Sequence, residues 1–339
     1  MWLWLLCAAQ AAELRPIRAG DTVESLAAGL GDAALAAEIR ALNSLAADEQ
    51  PAVGQLVKLP PPTTGEAIDQ NPFLVAASGT VTAAVPGEDA VPARTFVAYP
   101  LGSLFCTGSA SWATIRIATV CDDGGHDLDD ITLDPATCVQ VDGAFSSVHG
   151  RSTVITVQRG SVRVAAQEGA AGAVTVITSD GVTTGAEGGF RVTVEDDATR
   201  TEALYADVAV QGAGTEVALG AGEGSRVIAG QAPSDPVTLL VVSDLVRPLP
   251  GEPLRRPAFS WTPDAAALGY RIEIAENRTF TALVHQDDVT DTPHRPTLLQ
   301  LPFTGAGGLW WRVAPFDALG FLGVPTAPRE VTLPMEMSR

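Results

Sequence analysis

Between Leu74 and Ala232 the chain reads as a long succession of short alternating runs, among them "SWATIRIATV", "STVITVQRGSVRVAA" and "FRVTVEDD", each stopped by Gly or Asp. Strand side chains point to opposite faces in turn, so such runs bury one face and offer the other. No helical period longer than two turns interrupts them, which leaves a β sandwich or barrel as the architectures that can absorb the pattern. Composition agrees: 33 Gly, 24 Pro, three Met and a single lysine, Lys58, describe strands joined by turns. At 339 residues the chain exceeds one ordinary core and divides into two or three domains.

The N-terminus, "MWLWLLCAAQAAEL", carries an apolar run and a small-x-small pattern at Ala9, Gln10 and Ala11. Residues 1–12 are read as a secretory signal, although no basic residue precedes the run. No other run reaches the roughly 18 to 20 apolar residues that span a bilayer, so no transmembrane segment is expected. A net charge of -19 repels phosphate backbones and argues against a nucleic-acid partner. The excess of Arg over Lys in a chain rich in Ala, Gly and Val is a GC-rich bias that suggests a bacterial source, and a periplasmic or secreted, envelope-associated location follows from the signal.

Residues 13–60 have a pattern unlike that of the β region. Ile17 starts a short strand, Asp21 is placed to cap a helix over 22–30, and Glu24 lies where a capping box needs it. Leu35, Ile39 and Leu42 fall on one face of a second helix, and "VGQLVKLP" alternates Val53, Leu56 and Leu59 up to Pro60. The order is strand, helix, helix, strand. In "IRAGDTVESLA", "IRALNSL" and "PAVGQLVKLP" this stretch resembles a lysin motif (LysM) domain. That resemblance implies a non-enzymatic βααβ module that binds N-acetylglucosamine polymers such as peptidoglycan in a shallow groove. Gly20, Asp21, Thr22 and Val23 would form one wall, Asn43 and the loop from Gln50 through Pro51, Ala52 and Val53 the other. Asp21 and Thr22 also have a plain reading as helix-cap residues. A Pro-rich extended linker is expected over 61–73.

Residues 74–232 resemble the periplasmic FecR domain in "GSLFCTGSASWATIRIAT", "DDITLDPATCVQV", "QRGSVRVAA" and "TSDGVTTGAEGGFRVTVEDD". The Arg-Gly-Thr expected ahead of Phe-x-Val is absent, "TGAEGGFRV" standing in its place, so no contact made by that Arg carries over. Residues 236–334 resemble an immunoglobulin or fibronectin type III sandwich. "PAFSWTPDAAALGYRIEIAE" sets Phe259 with Trp261, and Tyr270 with Ile272 and Ile274, on single strand faces. The expected fold class is therefore mainly β and multidomain: a small α+β module, a FecR-like all-β domain and a sandwich.

Catalytic groups are scarce. The four His, His126, His149, His285 and His294, form no H-E-x-x-H and no pair spaced as in a metallopeptidase, so no metal or cofactor is expected. "SSVHGRS" around His149 lacks the following Cys of a transpeptidase core, and Cys106 sits in the strand-like "SLFCTGS" rather than at a helix start. Lys58 has no Gly-rich loop before it, and no G-x-S-x-G elbow occurs. "CDDGGHDLDD", residues 121–130, reads as a solvated turn more readily than as a Ca²⁺ loop. Asn277 forms a glycosylation sequon by pattern only. Cys121 and Cys138 are a possible disulfide clipping that turn, against three small buried thiols. Of Trp310 and Trp311, one is expected in the core and the other exposed or shielded by Arg312 as a partner contact.

The chain thus reads as a non-enzymatic envelope protein in which the glycan-binding module tethers β interaction modules to the wall, with an envelope protein as their possible partner. The alternative is a FecR-type sensor or regulator of signal transduction, and a remote third reading is a cell-wall hydrolase.

Overall fold

A computed structural model describes residues 13–17, 21–29, 34–52, 55–60, 68–120, 126–147, 150–166, 172–242, 244–252, 258–296 and 308–332. The signal assigned to residues 1–12 lies outside them. The fold is β-rich, with two short helices among the described residues, and no helix is long and apolar enough to cross a membrane.

In the N-terminal module, strand Glu13–Pro16 pairs antiparallel with Leu56–Leu59. Helices Val23–Gly29 and Leu35–Leu42 lie between them in the chain. Ile17, Val23, Leu26, Ala27, Leu35, Ile39, Val57 and Leu59 form one small core. The helix start differs from the expectation. It falls at Val23, so Thr22 is the cap: its hydroxyl accepts the Ser25 N–H at 3.0 Å while the Ser25 hydroxyl accepts the Thr22 N–H at 2.8 Å. The capping box is thus Thr22 with Ser25, one residue beyond Asp21 and Glu24. Leu42, expected on the buried face, is 38% exposed at the helix's last residue.

The central region folds as a curled sheet of two layers. One layer runs Val91–Pro92, Val81–Ala84, Leu104–Thr107, Cys138–Ser147, the first part of Gly150–Ala166, Gly172–Ile177, Val182–Gly185, Val208–Gly212, Thr215–Leu219. The other runs Val97–Ala98, Phe73–Ser78, Trp112–Val120, His126–Leu133, the second part of Gly150–Ala166, Gly188–Val194, Ala198–Ala203, Glu223–Ile228, Val237–Thr238. Phe105, Ile115, Ile131, Val141, Ile155, Val164, Phe190 and Val192 lie in the core that joins these layers.

The 17-residue strand Gly150–Ala166 belongs to both layers. Through Arg159 it pairs with Cys138–Ser147, and from Gly160 onward with Gly188–Val194. Gly160 makes the crossing possible. Its φ of +83° is a left-handed conformation, and a Cβ there would stand 2.6 Å from the Thr137 Cα.

The region is also longer than its expected bounds. Ile68–Asp69, in the expected linker, pairs with Phe145–Ser146, and Val237–Thr238, assigned to the third unit, extends the edge at Glu223–Gly224. Both short strands satisfy backbone groups on neighbouring strands that would otherwise be left open. The disulfide expectation is corrected. Cys138 is bonded to Cys106, its direct partner across adjacent strands, with Cα atoms 4.2 Å apart. Cys121 lies outside the described residues.

In the C-terminal unit, strands Leu283–Val289, Gly269–Ala275, Gly308–Phe316 and Arg329–Thr332 form an antiparallel sheet in that order. It packs on the pair Leu245–Arg247 and Ser260–Trp261. As expected, Phe259, Trp261, Tyr270, Ile272 and Ile274 point into one core, joined by Trp311 and Val313. Phe259 meets Trp311, and Trp261 meets Tyr270, edge to face at 5.0 and 5.3 Å between ring centroids.

The outer face of the second central layer is buried as well, against this unit. Cross-strand pairing sets Thr114, Thr132, Arg163, Arg191 and Glu202 in one row over five strands. Opposite them stand Arg271, Glu273 and Arg312. Glu273 accepts from Arg163 Nη1 at 3.0 Å and from Arg312 Nε at 2.5 Å. Arg271 donates to Asp134 at 2.6 Å and to Asp288 at 2.8 Å. Arg163 also donates to the Phe280 carbonyl, Thr114 to that of Thr281, Trp112 to that of Leu283, and the Leu322 N–H donates to Glu202.

Burial alone would raise the Glu273 carboxyl, but Arg312, Arg163 and Arg191 outweigh it and hold the group below the usual carboxylate range. Burial, only partly offset by Arg191 and Arg200, pushes Glu202 upward. The tryptophan pair resolves in the same terms. Trp311 is in the core, whereas Trp310 packs with Trp112 against Ala275, Phe280 and Leu283 at this interface. The cation over Trp310 is Arg278, at 5.7 Å, while Arg312 lies over Phe280 at 4.0 Å.

Candidate functional site

In the N-terminal module the loop after the second helix is tied to the start of the first helix by one side chain. Gln50 Oε1 accepts the Val23 N–H at 2.8 Å, satisfying an amide left open by the helix start. Its Nε2 donates to Glu24 Oε2 at 3.0 Å, and Glu24 Oε1 in turn receives Arg40 at 2.8 Å. These bonds, with the Glu24 backbone N–H foremost, hold the Glu24 carboxyl below its ordinary range. Arg40 completes the clamp by donating from Nε to the Ala47 carbonyl at 2.9 Å. In the far loop the Ala52 N–H donates to Gln55 Oε1 and the Gln55 N–H to the Ala52 carbonyl, each at 2.9 Å. The Gln55 carbonyl accepts from Ile17, so this loop is tied to the end of the first strand.

The six described residues among the eight expected glycan contacts fall into different roles. Asp21 and Thr22 are half-buried at the helix start and Ala52 is exposed. Val23 is fully buried and its N–H belongs to Gln50, and Pro51 is buried. Asn43 is a structural clamp: Nδ2 donates to the carbonyls of Ile39 and Lys58, and Oδ1 accepts the Lys58 N–H at 2.7 Å. It thereby pins the end of the second helix to the second strand. Gly20 and Val53 lie outside the described residues. The bridging role of Gln50 and Glu24 is not visible in sequence, since their separation of 26 residues carries no periodic signal.

Elsewhere several sequence candidates are held in structural bonds. Cys106 is in the disulfide, which removes its thiol as a nucleophile. His149 lies outside the described residues. The acidic stretch expected as a turn over 121–130 is a strand from His126 onward, because it pairs with Trp112–Val120. Within it Asp130 accepts two bonds from Arg116, at 2.7 and 2.8 Å, and Asp129 accepts from the Thr153 hydroxyl. Asn277 Oδ1 accepts the Thr281 N–H and its Nδ2 donates to the Thr281 hydroxyl, so this amide organises its own turn.

No protein-family model matches the chain, and no curated protein matches it. Among solved structures it is similar to a protein assigned as an anti-sigma factor from Parabacteroides distasonis, at 13% identity and a TM-score of 0.30, over 39% of this chain and 59% of that one. A second crystal structure under the same description gives 12% identity and a TM-score of 0.27. The dimeric latent PorU of Porphyromonas gingivalis matches at 13% identity with a TM-score of 0.19, over 80% of this chain and 30% of that one.

Proposed function

We propose that the N-terminal module is a lysin-motif-type glycan binder that tethers the rest of the chain to an N-acetylglucosamine polymer such as peptidoglycan, in the bacterial envelope. The observation that carries this reading is the Gln50 tie. It holds two chain-distant loops side by side on a βααβ module, and in this reading they are the two walls of the groove. A wall so fixed loses little side-chain freedom on binding, which lets a small contact area hold a sugar chain. Asp21, Thr22 and Ala52 are the positions we assign to sugar contact, with Asn43, Val23 and Pro51 supporting them from behind.

In the same reading the central region is a FecR-like domain and the C-terminal unit an immunoglobulin or fibronectin type III sandwich. The charge row and the two tryptophans at their joint favour one rigid body carried by the tether, an interaction unit for an envelope partner rather than two beads on a string. The test is a pull-down of the purified chain on insoluble peptidoglycan, alongside a chain lacking residues 13–60. Binding that disappears with the truncation supports the tether, and binding that survives it refutes the assignment.

A further inference from the structure

The edge of the C-terminal sandwich holds two histidines and a carboxylate that the glycan-binding reading does not use. His285 and Asp287 are two residues apart on the edge strand Leu283–Val289, so their side chains share a face. Register sets them opposite Ile274 and Ile272, two residues of the sandwich core, so that face is the inner one. His294 comes from the other side of the sandwich. Its backbone exchanges both hydrogen bonds with Phe259, at 2.9 and 2.8 Å, beside the strand Ser260–Trp261. One ligand atom from each of His285, Asp287 and His294 lies within 4.8 Å of the others. The rings are stacked 14° from parallel, 5.8 Å apart, and His294 Nε2 is 3.7 Å from Asp287 Oδ2.

Two features separate this group from ordinary core histidines. Nε2 of His285 and Nε2 of His294 are both buried and have no hydrogen-bond partner, although a buried ring nitrogen is normally satisfied. His285 is only 6% exposed, so water does not supply the missing bond from bulk. Asp287, with its side chain 46% exposed, leaves the third position open to solvent and gives an ion a route in.

We infer that His285, Asp287 and His294 form a binding site for a divalent transition-metal ion, of which Zn²⁺ is the best fit. Two imidazole nitrogens and one carboxylate oxygen are a donor set that suits zinc and disfavours Mg²⁺ and Ca²⁺, which take oxygen ligands. Ligand atoms around a tetrahedral zinc with bonds of about 2.0–2.1 Å stand about 3.4 Å apart, so closure asks for shifts of about 1 Å at the side-chain tips. Three protein ligands leave a fourth position for water, as in an open zinc site. Because His294 is bridged to Phe259, beside the strand Ser260–Trp261, while His285 and Asp287 lie on the edge strand of the four-stranded sheet, the ion would staple these two parts of the unit together.

The experiment uses the full chain without a histidine tag, stripped with chelator and titrated with Zn²⁺ against a chromophoric competitor. One Zn²⁺ per chain is expected, with a rise in melting temperature and, with Co²⁺ as probe, visible absorption bands of a low-symmetry site. His294→Gln should abolish stoichiometric binding, and Asp287→Asn should weaken it by at least about 10-fold, the low end of what even an outer-layer partner of a metal ligand contributes. Asp287→Asn alters a half-exposed side chain and keeps the test valid if His294→Gln fails to fold. The inference is overturned if the stripped chain takes up no stoichiometric Zn²⁺, or if Asp287→Asn binds it as tightly as the parent.

Discussion

Replacing Glu273 by Gln keeps the side chain's shape and removes the single charge that Arg163 and Arg312 share. The amide has one acceptor oxygen, so it can serve one guanidinium while its NH₂ faces the other. One charge-assisted hydrogen bond is lost, about 1.5–3 kcal/mol, and two buried guanidinium groups are left repelling each other. The total expected loss is about 3–5 kcal/mol, the range found when one partner of a buried ion pair is removed. Urea unfolding followed by tryptophan fluorescence is the assay, because Trp112 and Trp310 both pack at this joint. The variant should show an earlier transition in which the C-terminal unit leaves the central region. Salt should change it little, since the pair is screened far less than a surface pair. A triple variant with apolar residues of similar volume at 163, 273 and 312 should recover most of the loss. A Glu273→Gln chain within about 1 kcal/mol of the parent would show that packing alone holds the joint.

Gly160→Ala forces a Cβ against the Thr137 backbone at a left-handed φ and should cost more than about 2 kcal/mol, read as a lower urea midpoint. Asn43→Ala removes three hydrogen bonds to the backbone and should destabilise the N-terminal module by about 1–3 kcal/mol, so that limited proteolysis cuts it before the β units. Gln50→Ala should weaken peptidoglycan retention while leaving the β units' unfolding unchanged, because it frees the two loops from each other. For pH, the folded values of His285 and His294 are depressed, so the unfolded chain binds more protons. The stability they contribute is present above the unfolded value of about 6.5 and is lost as pH falls below it. Metal-free chain should therefore weaken on going from pH 7 to 5, with a shallower slope in His294→Gln. Glu273 acts lower: its folded value is depressed, so its contribution is full above the usual carboxylate range and is lost progressively as pH falls below it.

The strands were legible because period two survives in the chain itself. Val162 and Val164, or Phe190 and Val192, announce an inward face whatever lies outside. The same pattern misleads about their neighbours. Arg163 and Arg191 sit where an alternating strand places solvent-facing residues, yet they are 6% and 2% exposed, since a second unit covers that face. The cysteine pairing failed for a related reason: proximity in sequence favoured Cys121, while register across two strands brings Cys106 to Cys138. In the N-terminal module the order of elements was readable. The division of labour among its loop residues was not, because Asn43 and Gln50 act on backbone groups 15 and 27 residues away.

What the sequence determined by itself is therefore local and periodic: β structure, turn positions, inward faces and the strand-helix-helix-strand order, all set by contacts a few residues apart. Tertiary structure alone decided which outward faces stay outward, which polar groups meet, and that His285, Asp287 and His294 share one corner. Those outcomes depend on how sheets are layered and how one unit docks on another. Burial of a charge is set by what covers it, and a covering surface more than a hundred residues away leaves no mark on the run of residues it covers.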